Sequence, residues 1–334
     1  MDSEVSYWEL VTAFKGRGQF RALSADKSAH SKRSLKRWRI LVSRMIISTT
    51  SALSSSRSLT KTMILKTHIP RFPLNQFIDC FIYYENYHPG HSIDRFLPDG
   101  NTEIIIDFDD RPQHIYDNQT LKEIQACRHV WASGVRTEFI SIPSGKHAAM
   151  FIISFKKGMA YPFFPIPMNE MADRVVDADL LWGNDFALLR ERLFEIKKIN
   201  LKFETAESFL LGTFQGRLVL NPAVEYALAE IIRRPDQINL ARMNQNIGYS
   251  QKHFIGMFKR QVGIAPKAYL RIIRFQKAIS EIEQRKEVNW TIISQDCGFY
   301  DQAHFINDFK FFSGFTPEEY VRRKNDILNY VPVG

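Results

Sequence analysis

The sequence contains only three cysteines and no apolar segment long enough to cross a membrane as a helix. Cys80, Cys127 and Cys297 are odd in number and lie far apart, which argues against a disulfide framework and against a zinc-ligand spacing. No run of about 18 or more consecutive apolar residues occurs, so a transmembrane helix is not expected. These absences predict a protein of the reducing cytoplasm.

Motifs of several enzyme classes are also missing. There is no nucleophile motif, no glycine-rich phosphate loop and no dinucleotide-binding fingerprint. The chain nevertheless has 334 residues, of which 45% are hydrophobic and 13% aromatic, enough for two folded domains. We therefore predict a folded protein that is not an enzyme and has no cofactor.

Positive charge is concentrated at the N-terminus. Residues 1–62 hold 12 basic and 4 acidic residues, a net charge of +8, whereas residues 63–215 carry −4 and residues 216–334 carry +5. The first segment includes "SADKSAHSKRSLKRWR" and "IISTTSALSSSRSL", which are typical of a transit peptide or a nucleic-acid-binding tail. Ordinary folded sequence begins at Met63. We interpret residues 1–62 either as a disordered basic extension or as sequence upstream of the true start.

Residues 63–160 favour short strands separated by polar turns. The segments "NTEIIIDFDD", "TEFISIPSG" and "AAMFIISF" have strand composition, and "LPDG" at Leu97–Gly100 has turn composition. This pattern predicts a small β-sandwich or barrel. Apolar residues at helical spacing then predict one helix between about Asp173 and Asn200 and a second in "TAESFLLGTFQGRL". These two helices could pair with those of another subunit.

Two histidines raise an alternative, a metal-dependent cupin-type enzyme with a helical nucleic-acid-binding tail. His88 and His91 in "HPGH" could bind a metal together with Asp94 or Glu103. The spacing is a weak signal, because histidines in loops are usually solvated. Asp99 of "LPDG" is interpreted as a turn residue whose carboxylate bonds to nearby backbone.

The most informative feature of the sequence is a repeat. "HFIGMFKRQVGIAPKAYLR", from His253 to Arg271, and "HFINDFKFFSGFTPEEYVR", from His304 to Arg322, lie 51 residues apart and match at nine of nineteen positions. In each copy apolar residues recur three or four positions apart, which is one face of a helix. Each copy therefore predicts an amphipathic helix of the same local design.

Start and stop signals flank both repeated helices. Ser250 and Asp301 stand at the N-cap positions, where a side-chain oxygen accepts a backbone N–H bond. Gly263 and Gly314 stand where the helices should end. A short helix that ends in a glycine turn precedes each copy. The sequence therefore predicts two helix-turn-helix motifs, whose second helices would enter the major groove of DNA.

A helical spacer separates the two motifs. Pro266 and Pro317 fit the first position of the helix that follows each copy. The 19 residues from Pro266 to Gln284 favour a helix, and at about 1.5 Å per residue they would span about 28 Å. Successive major-groove faces of DNA lie about 34 Å apart. One chain can therefore present two recognition helices to the same face of a duplex.

The second copy, with the turn before it, resembles the signature of the AraC/XylS family of bacterial transcription regulators. The resemblance covers about residues 220–325. The positions in pattern are Gly298, Phe299, His304, Phe305, Phe309, Lys310, Gly314, Thr316, Pro317 and Tyr320. The first copy departs from the pattern at Asn244, where a small residue is usual and where the second copy has Ser294. Through "RFLPDGNTEIII" the middle region is similar to the cupin-like sensor domains of that family.

The resemblance implies an α+β fold in three parts. Residues 1–62 would be the extension, residues 63–215 a β-rich cupin-like barrel with following helices, and residues 216–334 an all-α double helix-turn-helix domain. Double-stranded DNA is the implied partner. A small-molecule effector, RNA polymerase and a second copy of the chain are further implied partners.

The DNA contacts are expected on the N-terminal parts of the two repeated helices. By resemblance, the base-contacting residues are Gln251, Lys252, Ile255, Gly256, Gln302, Ala303, Ile306 and Asn307. Gln302 and Asn307 can pair with adenine, and Lys252 with guanine. The phosphate candidates, which position the protein without reading bases, are Lys259, Arg260, Lys267, Arg271, Arg274 and Lys310.

Other residues of the repeat have structural interpretations. His253 and His304 are expected to pack or to form local hydrogen bonds, and Phe311 and Phe312 to lie in the core. A second alternative is that the duplicated helices bind another protein. The polar faces argue against it, since a protein interface would be expected to carry aromatic or apolar anchors.

Overall fold

The computed structural model describes residues 63–87, 89–145, 148–285, 287–325 and 327–333. The basic segment 1–62, with both interpretations of it, lies outside the described residues, as does His88. The described chain begins with strands, continues through three helices and ends in a helical region, so the predicted α+β class is confirmed. No described helix is long and apolar enough to span a membrane.

The described strands form two antiparallel sheets. They are β1 Ile64–His68, β2 Ile78–Tyr87, β3 Ile93–Phe96, β4 Glu103–Asp107, β5 Gln113–Tyr116, β6 Glu123–Cys127, β7 Val130–Ser133, β8 Ile140–Pro143, β9 Ala148–Phe155, β10 Val175–Asp177 and β11 Tyr330–Val333. The first sheet has the order β1-β2-β9-β4-β7-β10 and the second β11-β3-β8-β5-β6. The sheets pack together without closing, so of the two predicted forms, sandwich or barrel, the described strands form the sandwich and not the cupin-like barrel that the resemblance implies.

Both faces of the first sheet are covered. Ile104 and Ile106 of β4 pack in a cluster with the helices that follow the sandwich, whereas Ile105 between them faces the second sheet. Side chains of a strand alternate between its two faces. A strand covered on both faces needs apolar residues at successive positions, which explains why "EIII" shows no alternation in the sequence.

Three helices cover the outer face of the first sheet. They are α1 Ala178–Trp182, α2 Asp185–Glu195 and α3 Ile199–Phe214. The single helix expected between Asp173 and Asn200 is wrong, because the chain breaks at Gly183, which has a φ of 58°. Phe186, Leu189 and Leu193 of α2 are buried in the cluster beneath. The second predicted helix is confirmed as α3, which begins earlier than expected.

Seven α-helices are described in the C-terminal region. They are α4 Pro222–Arg233, α5 Leu240–Ile247, α6 Gln251–Val262, α7 Pro266–Gln284, α8 Trp290–Asp296, α9 Gln302–Ser313 and α10 Pro317–Arg323. The predicted spacer is confirmed as α7, with the bounds expected from the sequence. Tyr269, Ile272 and Phe275 of α7 are buried in one core that contains residues of both helix-turn-helix motifs. The spacer is therefore the central helix of this region.

The turn "LPDG" contacts the helical region and joins it to the sandwich. Leu97 is fully buried in the helical core. The Tyr269 hydroxyl donates to the Gly100 carbonyl at 3.2 Å, and the Gln276 amide donates to the Pro98 carbonyl at 2.8 Å. Asp99 accepts from the Asn101 N–H at 2.9 Å, which confirms its role as a turn residue.

The last strand crosses from one region to the other. β11 forms one edge of the second sheet and pairs with β3, and Tyr330 stands opposite Phe96 with ring centroids 5.0 Å apart. Val331, the next residue, is fully buried in the helical core. The predicted boundary between residues 215 and 216 assigns β11 to the helical domain, although β11 lies in a sheet of the β-rich domain.

Candidate nucleic-acid interface

The first helix-turn-helix motif consists of α5 and α6. Asn239 caps α5 by accepting from the Arg242 N–H, and Ser250 caps α6 by accepting from the His253 N–H. Gly248 ends α5 with a φ of 79°, a left-handed conformation that favours glycine. Phe254 and Phe258 fix α6 to the core. The N-terminal turn of α6 is left facing solvent.

The second motif, α8 and α9, repeats this design with a longer turn. Asn289 caps α8, and Asp301 caps α9 by accepting from the His304 N–H at 2.7 Å. Three residues join the helices of the first motif and five join those of the second. Because α8 is also one residue shorter than α5, the N-caps of the first helices lie 50 residues apart in sequence and those of the second helices lie 51 apart.

The structure places the base-contact candidates on the exposed starts of α6 and α9. Two of the eight candidates, Ile255 and Ile306, are partly buried. The other six are exposed: Gln251, Lys252, Gly256, Gln302, Ala303 and Asn307. The buried phenylalanines of each helix lie on the opposite face. Gln302 is held in place, because its amide oxygen accepts from the Thr291 hydroxyl at 3.1 Å. Both helices can therefore present polar side chains to a groove.

The phosphate candidates differ in how much of their side chain is available. Lys259, Lys267 and Lys310 are exposed. Arg271 instead bonds to Asp308 through two nitrogens, at 3.1 and 2.7 Å, and Arg274 donates to the Pro235 carbonyl at 2.8 Å. A phosphate contact by either arginine would have to share these donors.

Arg260 is intermediate between these two groups. It is exposed at the end of α6, and its Nε donates to the Tyr161 hydroxyl of the sandwich region at 3.3 Å. This contact raises the pKa of Arg260. A phosphate at Arg260 would lie beside the junction with the sandwich.

Sequence reasoning missed two tyrosines next to the recognition helices. Tyr300 is 93% exposed and Tyr249 is 44% exposed, and each directly precedes an N-cap. They occupy equivalent positions of the repeat, 51 residues apart. That equivalence was the available signal, since the same aromatic residue stands before the N-cap in both copies.

The structure resolves three structural expectations for the repeat. Asn244 is only half satisfied in the first motif: its amide nitrogen donates to the Tyr249 carbonyl at 3.3 Å across the turn, while its side-chain oxygen is buried with no hydrogen-bond partner among the described residues. The local roles of both histidines are confirmed, since His253 stacks edge-on with Tyr249 and His304 with Phe299. Phe312 is buried as expected.

The expectation for Phe311 is wrong. Its side chain is 43% exposed, and the Arg271 guanidinium lies 5.2 Å from its ring centroid. The reason is its position on α9: Phe309 and Phe312 occupy the core-facing side, so the residue between them points away.

The alternative metal site receives no support from the residues that are described. His91 bonds to Asp94 at 2.7 Å, and the other oxygen of Asp94 accepts from Ser144 at 2.6 Å. No group of three metal-ligating side chains occurs among the described residues, which do not include His88.

Two family models match the chain. Residues 66–177 match DUF6597, a domain of unknown function, and residues 243–323 match a helix-turn-helix domain. A search of curated proteins found no match.

Several solved structures overlap the chain at low similarity. ToxT from Vibrio cholerae has 14% identity and a TM-score of 0.42, covering 72% of this chain and 97% of that one. The C-terminal domain of AraT, a response regulator from Geobacillus stearothermophilus, has 25% identity and a TM-score of 0.30 over 32% of this chain and 88% of that one. The xylose-binding transcription activator XylR has 26% identity and a TM-score of 0.29 over 33% of this chain and 29% of that one.

The helix-turn-helix match coincides with the two motifs built above from their caps, turns and core. Residues 243–323 are an AraC-type helix-turn-helix domain. The protein is a DNA-binding transcription regulator with a β-rich N-terminal domain.

Proposed function

We propose that α6 and α9 read two successive major-groove faces of one DNA duplex. The observation that carries this proposal is the pair of capped helices whose polar N-terminal turns are exposed while their apolar faces share one core with α7. Because α7 is buried along its length, it holds the two helices in a fixed relation. A fixed relation selects for two recognition sequences at a fixed spacing.

The proposed contacts divide by chemistry. Lys252 and Asn307 are one polar candidate from each motif, with guanine and adenine as their partners. Ile255, Gly256 and Ala303 offer apolar contact or close approach. The exposed lysines of the phosphate set supply affinity that falls as salt rises.

The test is selection of genomic DNA fragments by the full chain at two salt concentrations. We expect selected fragments to share two motifs about one helical turn, ~10 base pairs, apart. In Lys252→Ala/Asn307→Ala we expect affinity for these fragments to fall at least ~10-fold, since each good base contact contributes ~1–3 kcal/mol of discrimination. Affinity for unrelated DNA should change much less.

The matched control is Lys122→Ala/Asn200→Ala. It removes the same residue types from exposed positions of the sandwich region and changes the net charge equally. If both double variants lose affinity by the same factor, charge alone explains the effect, and base reading by α6 and α9 is wrong.

We further propose that a small molecule controls DNA binding from the space between the two sheets. A cleft of about 500 Å³ opens at the edge formed by β5 and β6. Its lining includes Ile115 and Ile140, which also belong to the apolar cluster between the sheets. The cleft therefore lies beside that space, and we propose it as the route by which a small molecule enters.

A homodimer is proposed through the helices that cover the sandwich. Leu180, Leu188 and Leu201 of α1, α2 and α3 are 76%, 50% and 46% exposed. Leu188→Glu/Leu201→Glu should convert a dimer to a monomer in light scattering, because a buried unpaired charge is strongly disfavoured. Ile124→Glu, on exposed β6, serves as the control. A dimer that survives the double substitution would contradict this interface.

Cytoplasmic location and contact with RNA polymerase are proposed as parts of the same function. Both follow from regulation of transcription by a DNA-bound protein. Recovery of polymerase subunits with the DNA-bound full chain, and not with the DNA alone, tests the second.

A further inference from the structure

The space between the two sheets is loosely filled. Five of the six buried hydrophobic residues there keep 7–9% of their surface accessible, whereas most residues of the cluster on the other side of the first sheet keep 0–2%. Tyr84, Phe96, Ile142 and Ile152, which pack against the same cluster, are only partly buried. Native interiors are close-packed, so five lining residues that retain surface indicate a hollow between the sheets.

One carboxylate faces this hollow without a positively charged partner. Glu103 and Ile105 lie on the same face of β4, and Ile105 belongs to the inter-sheet cluster. Glu103 accepts a hydrogen bond from the Ser154 hydroxyl at 3.1 Å. Burial and the nearby Asp99 carboxylate raise the pKa of Glu103 to about 7, and no cationic side chain of the described residues offsets them.

Aromatic rings line the same hollow. Burial raises the pKa values of Tyr330 and Tyr84, and the Glu103 charge adds to both; the sheet register places Tyr84 level with Asp107, towards the other end of β4. The Tyr84 ring lies 6.4 Å from that of Tyr87, and the Tyr330 ring 5.0 Å from that of Phe96. Aromatic faces attract organic cations, and they do so more strongly away from water. A carboxylate among such rings has the chemistry of an ammonium site.

The C-terminal strand links this site to the DNA-binding domain. Tyr330 of β11 contributes to the hollow, while Val331 is buried in the helical core. Asn329 accepts two hydrogen bonds. Its backbone carbonyl accepts from the Leu97 N–H at 2.9 Å, and its side-chain oxygen accepts from the side-chain amide of Gln276, on α7, at 2.9 Å. A ligand that moves Tyr330 therefore acts on the helix that holds both recognition helices.

We propose that the hollow binds an organic cation, an amine or alkylammonium group, at Glu103, and that β11 transmits its presence to α7. The inference rests on the proposed control by a small molecule and specifies its chemical class. The Glu103 carboxylate would pair with the ammonium group, and the rings would cover its carbon substituents.

The probes are phenethylammonium and tetramethylammonium. The control is 2-phenylethanol, which has the carbon skeleton of phenethylammonium but no charge. Binding is followed on the full chain by the fluorescence of its tryptophans, of which Trp131 belongs to the inter-sheet cluster, and by thermal unfolding. We expect saturable binding of at least one cation, at least ~10-fold tighter than the alcohol, because charge-assisted contacts strengthen away from water.

Two variants locate the site. Glu103→Gln keeps the shape of the side chain and should weaken cation binding at least ~10-fold, since the ion pair is lost. Glu204→Gln, on the exposed face of α3, should bind as the unaltered protein does. Equal binding by Glu103→Gln, equal binding of the alcohol, or no saturable binding of either cation would overturn the proposal.

The pH dependence provides a second readout. The groups that face Glu103 are Asp99 before β4, Ser154 of β9, Cys80 and Tyr84 of β2, and Tyr330 of β11, with Asp107 and Asp94 further along the inner faces of β4 and β3. With a pKa of about 7, Glu103 is about one-tenth ionised at pH 6 and about nine-tenths at pH 8. Cation affinity should therefore rise ~10-fold between these pH values, and this rise should be absent in Glu103→Gln.

Transmission is tested on DNA. Affinity for the selected fragment should change on adding the bound cation to the unaltered protein, and should not change in Glu103→Gln. Cation binding at Glu103 without any change in DNA affinity would overturn the role of β11. Failure of the unaltered protein to select DNA would instead contradict the proposed function. Cation binding at Glu103 is measured without DNA, so that result would stand or fall separately.

Discussion

Gly298→Ala is expected to unfold the second helix-turn-helix motif and to abolish sequence-specific DNA binding. Gly298 has a φ of 78°, and a Cβ there would lie 2.5 Å from the Cα and 3.0 Å from the carbonyl oxygen of Asp236. A left-handed conformation costs a non-glycine residue ~1–2 kcal/mol. The contact with backbone adds to this cost, because backbone cannot rotate away as the end of a side chain can. We expect a loss of ~3 kcal/mol or more in the free energy of unfolding.

Gly248→Ala is the matched control. Gly248 occupies the turn of the first motif with a φ of 79°, but a Cβ there would meet no atom within 4 Å. Only the conformational cost applies, so its loss should be ~1–2 kcal/mol. Urea unfolding of both variants measures the difference. Equal losses would show that the approach of Asp236 to Gly298 does not constrain the second motif.

Asp308→Ala is expected to cost ~1.5–3 kcal/mol, the usual contribution of hydrogen bonds to a charged group, because the Arg271 left behind is partly solvated. Asp308 is only 6% exposed and binds Arg271 through both oxygens, at 2.7 and 3.1 Å. The pair joins α9 to α7. Without Asp308, Arg271 keeps a half-buried charge with no carboxylate partner, and the second recognition helix loses its polar link to the spacer.

The double variant Arg271→Met/Asp308→Leu separates two roles of Arg271. If the arginine is mainly a partner of Asp308, the double variant should be more stable than either single variant, because no unpaired charge remains. The salt dependence of DNA binding should then be unchanged. If Arg271 also neutralises a phosphate, the salt slope should fall by about one. A double variant as unstable as Asp308→Ala would contradict the ion pair as the reason for the loss.

The features predicted correctly from the sequence are local ones. Ser250 and Asp301 cap their helices, and Gly263 and Gly314 end them, because each role depends on residues within one turn. The identity of α7 as a spacer followed from the distance between the two copies. Local rules and the repeat together were enough to place the recognition helices.

The features missed are contacts between residues distant in sequence. Nothing near Tyr330 indicates that it pairs with β3, more than 230 residues earlier in the chain. The bond from Arg271 to Asp308 likewise turns a phosphate candidate into a structural partner. An arginine on a helix looks the same in sequence whether its charge meets solvent, DNA or a buried carboxylate. Only packing distinguishes these cases.

The central claim, that α6 and α9 read one duplex at two places, is tested most directly by protection of guanine N7 from methylation on a selected fragment. We expect two protected major-groove patches on one face, ~10 base pairs apart. Gln302→Ala/Asn307→Ala should lose one patch and Gln251→Ala/Lys252→Ala the other. A single patch that both variants weaken equally would contradict reading by two helices.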